Sequence, residues 1–306
     1  MTIKDKIGRG IVAAVAVVAV IGPLQAKSKR GGGDHANRGI ELAEQKQYEA
    51  AIAEFNKAVQ EDPKNPRNYA NRGTAYRAMK AFPEAIADFT KAIELAPKDH
   101  VGYMERSQTE LMQDQFDAAL TDAEKAVEFK PDEAMAYKYR GFAQIGLTQW
   151  DKAIADFTTA IEKKPDDPQS YERRAFAYRS LKNYDAAIAD YTLVIEKDPN
   201  NSEILTKRGY TYSLMTQYEK AIADYEAALK LKPDDYDTVQ RLQYARSMLA
   251  ARNAPPPTAT PTPTPSAGLL TPLNIGIAVA VLLIVAIVVR LVTRGKPEPT
   301  SSSRIR

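Results

Sequence analysis

The chain has 306 residues, a net charge of +3, two histidines and no cysteine, so disulfide bonds, thiol catalysis and thiolate metal sites are excluded. Residues 1–30 contain six Lys or Arg against one Asp, and residues 253–306 contain five against one Glu, whereas residues 31–252 are net acidic. A net-acidic middle region argues against a nonspecific nucleic-acid interface, which needs a basic surface.

The N-terminal segment has the layout of a secretory signal peptide. Lys4, Lys6 and Arg9 precede a short, uncharged and mainly apolar stretch that ends in Leu24-Gln25-Ala26. We therefore predict a signal peptide at 1–26, cleaved after Ala26, with an uncleaved N-terminal anchor as the alternative. Residues 27–31 are then a lead-in to the next region.

The middle of the chain repeats one pattern six times with a period of 34 residues. Each copy has a small residue in its first half and an alanine in its second half. In five of the copies an aromatic residue stands four positions after that alanine. These short spacings put the recurring apolar residues on one helix face. Every copy ends in a proline, at Pro63, Pro97, Pro131, Pro165, Pro199 and Pro233.

These columns of Gly, aromatic, Ala, Phe and Pro resemble the signature of the tetratricopeptide repeat. The resemblance implies an all-α fold, a right-handed α-solenoid of six helix-turn-helix repeats followed by a cap helix at 236–252. The third repeat has Ser107, Glu110 and Ala123 where the family prefers Gly, Tyr and Phe, so we expect it to be the least stable. The repeats occupy residues 32–235, with limits at 32–65, 66–99, 100–133, 134–167, 168–201 and 202–235.

An arginine stands directly before the small residue of every copy, and an acidic residue recurs in the second half. We interpret the two columns as a structural ladder of buried or half-buried ion pairs, with a ligand-binding ladder as the alternative. The expected pairs are Arg38 with Glu54, Arg72 with Asp88, Arg106 with Asp122, Arg140 with Asp156, Arg174 with Asp190, and Arg208 with Asp224.

The resemblance also implies protein binding, usually of an extended peptide or helix in the groove lined by the first helices. Amides in the first repeats and a basic, aromatic surface in the last three suit an extended acidic peptide or a C-terminal carboxylate. The alternative is that the aromatic residues only pack between repeats and the cations are ordinary surface. The predicted peptide-binding residues are Asn37, Asn71, Lys138, Tyr139, Phe142, Arg173, Phe176, Arg179, Lys207 and Tyr210.

The C-terminal region has the composition of a stalk and a membrane anchor. Residues 253–268 are rich in Pro and Thr and predict an extended stalk. Residues 269–292 contain an apolar run from Leu273 to Val289 that predicts a transmembrane helix. Only basic residues follow it closely, so the positive-inside rule places the tail at 293–306 in the cytoplasm and the repeats on the opposite side.

We therefore predict a single-pass protein of a bacterial inner membrane that acts as a protein-binding adaptor outside the cytoplasm. The alternative is a self-associating envelope scaffold with no peptide ligand. The predicted segments leave no room for a catalytic domain, so we predict no enzymatic activity. His35 and His100 are far apart in the sequence, and we expect neither a metal site nor a cofactor.

Overall fold

The computed structural model describes residues 33–254 and 272–293, and within these two stretches it contains fourteen α-helices and no strand. The predicted signal peptide, the lead-in, and nearly all of the stalk and of the tail lie outside the described residues. The described residues up to Arg252 belong to one compact unit, and those from Asn253 belong to a second. The helices of the first unit are α1 (Asp34–Glu44), α2 (Tyr48–Glu61), α3 (Pro66–Ala78), α4 (Phe82–Leu95), α5 (His100–Leu111), α6 (Phe116–Phe129), α7 (Ala134–Gly146), α8 (Trp150–Lys163), α9 (Pro168–Ser180), α10 (Tyr184–Lys197), α11 (Ser202–Leu214), α12 (Tyr218–Leu231) and α13 (Tyr236–Asn253).

Helices α1 to α12 form six pairs, one in each 34-residue period, and they build an all-helical solenoid. Within a pair, the small residue of the first helix lies against the aromatic ring of the second. A Cβ atom added to Gly39 would lie 2.5 Å from the ring of Phe55, and one added to Gly141 would lie 2.9 Å from Phe157. Glycine is therefore required at these two positions by the close approach of the helices. The handedness of the solenoid stays a prediction.

The third repeat replaces this glycine–ring contact with a hydrogen bond. The buried Ser107 hydroxyl donates to the backbone carbonyl of Ala119 at 2.8 Å, and Ala123 is fully buried where the other repeats carry a ring. The smaller side chain on the second helix thus leaves room for the larger one on the first. That the third repeat is the least stable of the six stays a prediction.

The turn between the two helices of each repeat contains one residue in the left-handed backbone region. Its φ angle is 62° at Lys46 and 58° at Thr148, and none of these residues is a glycine. The backbone amide that follows closes the turn, as Gln149 does by donating to the Gln144 carbonyl at 2.8 Å. The six left-handed residues are Lys46, Lys80, Asp114, Thr148, Lys182 and Thr216.

The first helices of the repeats line the inner side of the array. Consecutive first helices contact one another from α1 to α9, whereas no contact of similar extent joins consecutive second helices among the described residues. The array therefore curves toward the first helices. We call the side lined by α1, α3, α5, α7, α9, α11 and α13 the concave surface.

The arginine ladder is present in five of the six repeats. Arg140 donates from Nε and Nη2 to the two carboxylate oxygens of Asp156, at 2.7 and 2.6 Å. In three repeats the remaining nitrogen of the arginine reaches a threonine of the preceding repeat, as Arg174 does with Thr158 at 3.0 Å. The arginine then ties three helices together. The bidentate pairs are Arg72 with Asp88, Arg106 with Asp122, Arg140 with Asp156, Arg174 with Asp190, and Arg208 with Asp224.

The predicted pair of Arg38 with Glu54 is wrong. Glu54 instead accepts hydrogen bonds from His35 at 2.5 Å and Lys57 at 2.9 Å, while Arg38 is exposed. Hydrogen bonds from Lys57 and His35 lower the pKa of Glu54 to about 2. The His35 and Lys57 side chains already occupy the Glu54 carboxylate, and this repeat carries a glutamate where the others carry an aspartate, which accounts for the difference.

Helix α14 (Pro272–Thr293) is the described helix that lies wholly in the second unit, and it overlaps the segment predicted as a membrane anchor. Its described side chains from Val279 to Val288 are aliphatic and exposed. No helix in the described ranges 33–254 and 272–293 combines the length and the hydropathy needed to span a membrane.

Candidate functional site

The predicted groove residues of the first two repeats lie on α1 and α3. Asn37 is half-buried and Asn71 is buried, and neither is without a partner. Arg77, further along α3, places Nη2 2.6 Å from the Glu105 carboxylate and donates from Nη1 to the Glu105 backbone carbonyl. Arg77 and Glu105 thus pair with each other at this end of the concave surface.

The middle of the predicted groove is also occupied by internal contacts. Lys138 is only 8% exposed, and its Nζ atom donates to Asp167 at 3.1 Å. Burial disfavours the charge of Asp167, but hydrogen bonds from Ser170 and Lys138 outweigh it and lower the pKa of Asp167. Asp167 therefore holds Lys138 instead of capping α9 with its side chain.

Arg173 and its aromatic neighbours form a buried layer between α7 and α9. Arg173 is 5% exposed, and its guanidinium carbon lies 5.5 Å from the centre of the Phe142 ring. Phe142 in turn meets Phe157 edge-on, with their centroids 5.5 Å apart. Tyr139 is buried as well, and burial raises the pKa of its hydroxyl. Three of the predicted site residues, Tyr139, Phe142 and Arg173, therefore pack between repeats.

The remaining four predicted residues lie at the C-terminal end of the concave surface and are partly exposed. The guanidinium of Arg179 lies 5.2 Å from the ring centre of Phe176 and 5.3 Å from that of Tyr210. Lys207 donates to Glu172 at 2.7 Å and to Glu203 at 2.5 Å. The structure thus brings Phe176, Arg179, Lys207 and Tyr210 together.

Two adjoining cavities open beside these residues. The first, which we call the polar cavity, has a volume of about 460 Å³ and is lined by Arg179, Glu203, Lys207, Tyr210, Asp237 and Arg241 among others. The second, which we call the aromatic cavity, has a volume of about 390 Å³ and is lined by Tyr210, Ser213, Leu214, Tyr225, Gln240, Arg241 and Tyr244. Tyr210 and Arg241 line both cavities.

Two lining residues, Arg241 and Tyr244, are absent from the predicted set. Both lie on α13, which the sequence indicates only as a cap helix. The repeat period supplies the missing signal, because 34 residues separate Arg241 from Lys207 and Tyr244 from Tyr210. Helix α13 therefore behaves as the first helix of an incomplete seventh repeat, and it extends the concave surface.

Family models match four stretches of the array. Two matches to the tetratricopeptide repeat cover residues 66–99 and 168–201, a third covers 191–223, and a TPR repeat model covers 39–80. The chain contains tetratricopeptide repeats. No curated protein sequence matches the chain significantly.

Solved structures with tetratricopeptide-repeat folds resemble the array. PilF of Pseudomonas aeruginosa superposes with a TM-score of 0.60 at 14% identity, over 70% of this chain and 95% of PilF. A chain of the APC/C hetero-tetramer Cut9–Hcn1 gives 0.59 at 18% identity over 69% of this chain, but the match spans only 42% of that chain. YrrB, described as a TPR protein with an unusual peptide-binding site, gives 0.54 at 21% identity, over 63% of this chain and 97% of YrrB. At these identities the likeness shows the fold alone.

The last feature of the site is the kind of chemical groups that it presents. Within the part of the chain that the structure describes, no group of three or more His, Asp or Glu side chains is placed to hold a metal ion. The two cavities instead present guanidinium, hydroxyl and aromatic groups from α9, α11 and α13. Such groups can bind carboxylates and apolar side chains without chemical change.

Proposed function

We propose that this protein is a membrane-tethered adaptor that binds an extended segment of another protein on its concave surface. Tetratricopeptide-repeat proteins bind other proteins or peptides and are typically not catalysts. The observation that carries the proposal is the pair of cavities at the C-terminal end of the concave surface, which share Tyr210 and Arg241. Concave, partly apolar sites with a few fixed polar groups are the usual form of binding sites.

The proposed site uses the predicted groove residues unequally. Lys138, Tyr139, Phe142 and Arg173 are buried and hold the repeats together, so we assign them a supporting role. Phe176, Arg179, Lys207 and Tyr210 stay accessible in part, and we assign them to ligand contact together with Arg241 and Tyr244. Asn37 and Asn71 belong to the far end of the proposed groove.

Cross-linking and capture with the full-length chain in its native membrane tests the adaptor function. We expect one partner protein to be recovered with the wild type and lost with the double variant Arg241→Glu, Tyr244→Ala. Arg246→Glu on the same helix is the matched control, because Arg246 lines neither cavity and its ion pair with Glu226 is exposed. Recovery of the protein itself alone, equally from all variants, would favour the self-associating scaffold.

The membrane anchor and the topology are part of the proposal and are supported by the sequence. The apolar run from Leu273 to Val289 is followed by Arg290, Arg294 and Lys296, which favours a cytoplasmic tail. Because the chain has no cysteine, single introduced cysteines report topology without background. We expect Lys152→Cys to react with a membrane-impermeant maleimide on intact spheroplasts, and Thr300→Cys to react only after permeabilisation. The reverse pattern would contradict the orientation.

A further inference from the structure

The polar and aromatic cavities are positioned to act on one ligand. Tyr210 and Arg241 belong to the walls of both, so a chain that enters one cavity is in contact with the other. Arg241 lies with its guanidinium carbon 4.5 Å from the centre of the Tyr210 ring, and Arg179 lies 5.3 Å from the same ring. The shared wall is therefore an aromatic ring held between two guanidinium groups.

The polar cavity can accept a carboxylate. Arg241 donates only Nε to Asp237, at 2.6 Å, and its two terminal nitrogens make no hydrogen bond within residues 33–254. The charged side chains that line the polar cavity are four cations, Arg179, Lys207, Lys232 and Arg241, against three carboxylates, Glu203, Asp235 and Asp237, and hydrogen bonding from Lys207 lowers the pKa of Glu203. A ligand carboxylate in this cavity would accept hydrogen bonds from the two terminal nitrogens of Arg241, and Arg179 and Lys232 line the same cavity. Charge-assisted bonds from a guanidinium to a carboxylate are among the strongest hydrogen bonds in proteins.

The aromatic cavity can accept a large apolar side chain. Tyr225 is 1% exposed and its hydroxyl is hydrogen-bonded to Ser213 at 3.3 Å, so it forms the base of the cavity, and the accessible apolar surface comes from the rim. At the rim, Leu214 is 40% exposed and Tyr244 is 56% exposed, although both could bury apolar surface. Exposed apolar side chains around a concavity are typical of interaction sites.

We propose that the two cavities form one bipartite site for an extended peptide segment of a partner protein, in which an acidic residue lies next to a large aromatic or aliphatic residue. This inference rests on the proposed adaptor function and specifies its ligand. The charge of the cavity favours the acidic group, and the adjoining aromatic wall favours the apolar neighbour. Residues that follow one another along an extended peptide can supply both groups.

Selection from a phage-displayed library of short random peptides, with the purified full chain as bait, tests this assignment. We expect the wild type to enrich peptides with Asp or Glu next to Phe, Tyr, Trp or Leu. Arg241→Glu should reduce the binding of those peptides about ten- to hundredfold, as the loss of a charged hydrogen bond predicts. The same variant should shift the enriched sequences toward Lys or Arg, which damage to the fold would not do.

Tyr244→Ala should keep the preference for acidic residues and lose that for aromatic ones. Tyr236→Ala and Arg246→Glu are controls on α13, since neither residue lines a cavity, and Tyr236 is 75% exposed. The proposal is overturned if no peptide is enriched, if enriched peptides show no acidic preference, or if Arg241→Glu leaves enrichment unchanged. Capture of a partner in the native membrane despite such a result would leave the adaptor function standing and remove only the bipartite site.

Discussion

At the scale of single residues, the most informative contact is the bidentate pair of arginine and aspartate inside five of the six repeats. The aspartate is nearly buried on the second helix, and the arginine reaches it from the first helix and is itself only partly exposed. A buried carboxylate that loses its partner is strongly destabilising, because its charge is then left unpaired away from water. The pairs therefore act on stability.

Arg140→Met tests this structural role. We expect the variant to lose about 2 kcal/mol, less than a fully buried pair because Arg140 is partly exposed. The melting temperature should fall by roughly 5 °C. Arg140→Lys should recover part of this loss, and Arg38→Met should cause almost none, since Glu54 is held by His35 and Lys57. An unchanged melting temperature in Arg140→Met would contradict the structural interpretation.

A second prediction at this scale concerns Glu110, which is 7% exposed. Burial raises its pKa to about 7, the Asp122 carboxylate adds to the effect, and Arg106 opposes it. The folded chain thus keeps a proton on Glu110 that the unfolded chain loses near pH 4.5. The free energy of unfolding therefore falls as the pH rises from about 4.5 to about 7, and the loss is complete above about pH 7.

Glu110→Gln removes this titration, and Gln144 shows that an amide is accommodated at the same register position of the next repeat. We expect the variant to be more stable than the wild type at pH 8, by up to about 3 kcal/mol. The two proteins should differ little at pH 4. Urea unfolding at both pH values measures this, and an equal pH dependence of the two proteins would contradict it.

At the scale of helices and turns, the repeat period predicts the element order well, because each element depends on contacts inside one repeat or between neighbours. The six helix pairs follow from short-range spacing. The groove residues were harder to predict, since their exposure depends on partners in the adjacent repeat. Lys138 is buried and donates a hydrogen bond to Asp167 of the next repeat, and Lys207 donates one to Glu172 of the preceding repeat. The repeat period shows which residues occupy equivalent positions, but it does not show which of them form hydrogen bonds with a neighbouring repeat.

The turns carry a conformational cost that the period alone does not reveal. Thr148 is β-branched and exposed, yet its φ angle is 58°, a region that suits Gly or Asn. We expect Thr148→Asn to stabilise the protein by about 1 kcal/mol. Lys182→Asn, at the equivalent turn, should gain less because lysine is not β-branched. Thermal unfolding compares the two variants, and a loss of stability in Thr148→Asn would contradict the assignment of strain.

At the scale of the whole molecule, the described array has an internal ion pair on the N-terminal part of its concave surface and two open cavities at the C-terminal end. Arg77 and Glu105 occupy the first part of the concave surface, whereas Arg241 and Tyr244 border open space on α13. We therefore expect a partner to bind at the end of the array formed by α9, α11 and α13.

Site-specific photo-cross-linking in the native membrane tests this central claim most directly. A photoreactive phenylalanine analogue is placed at Tyr244, at the rim of the aromatic cavity, and in a parallel chain at Tyr236, on the same helix but outside both cavities. We expect a cross-link to a different protein from position 244, absent at position 236 and lost when Arg241→Glu is added. A partner cross-linked equally from both positions, or adducts of the protein with itself alone, would contradict the account.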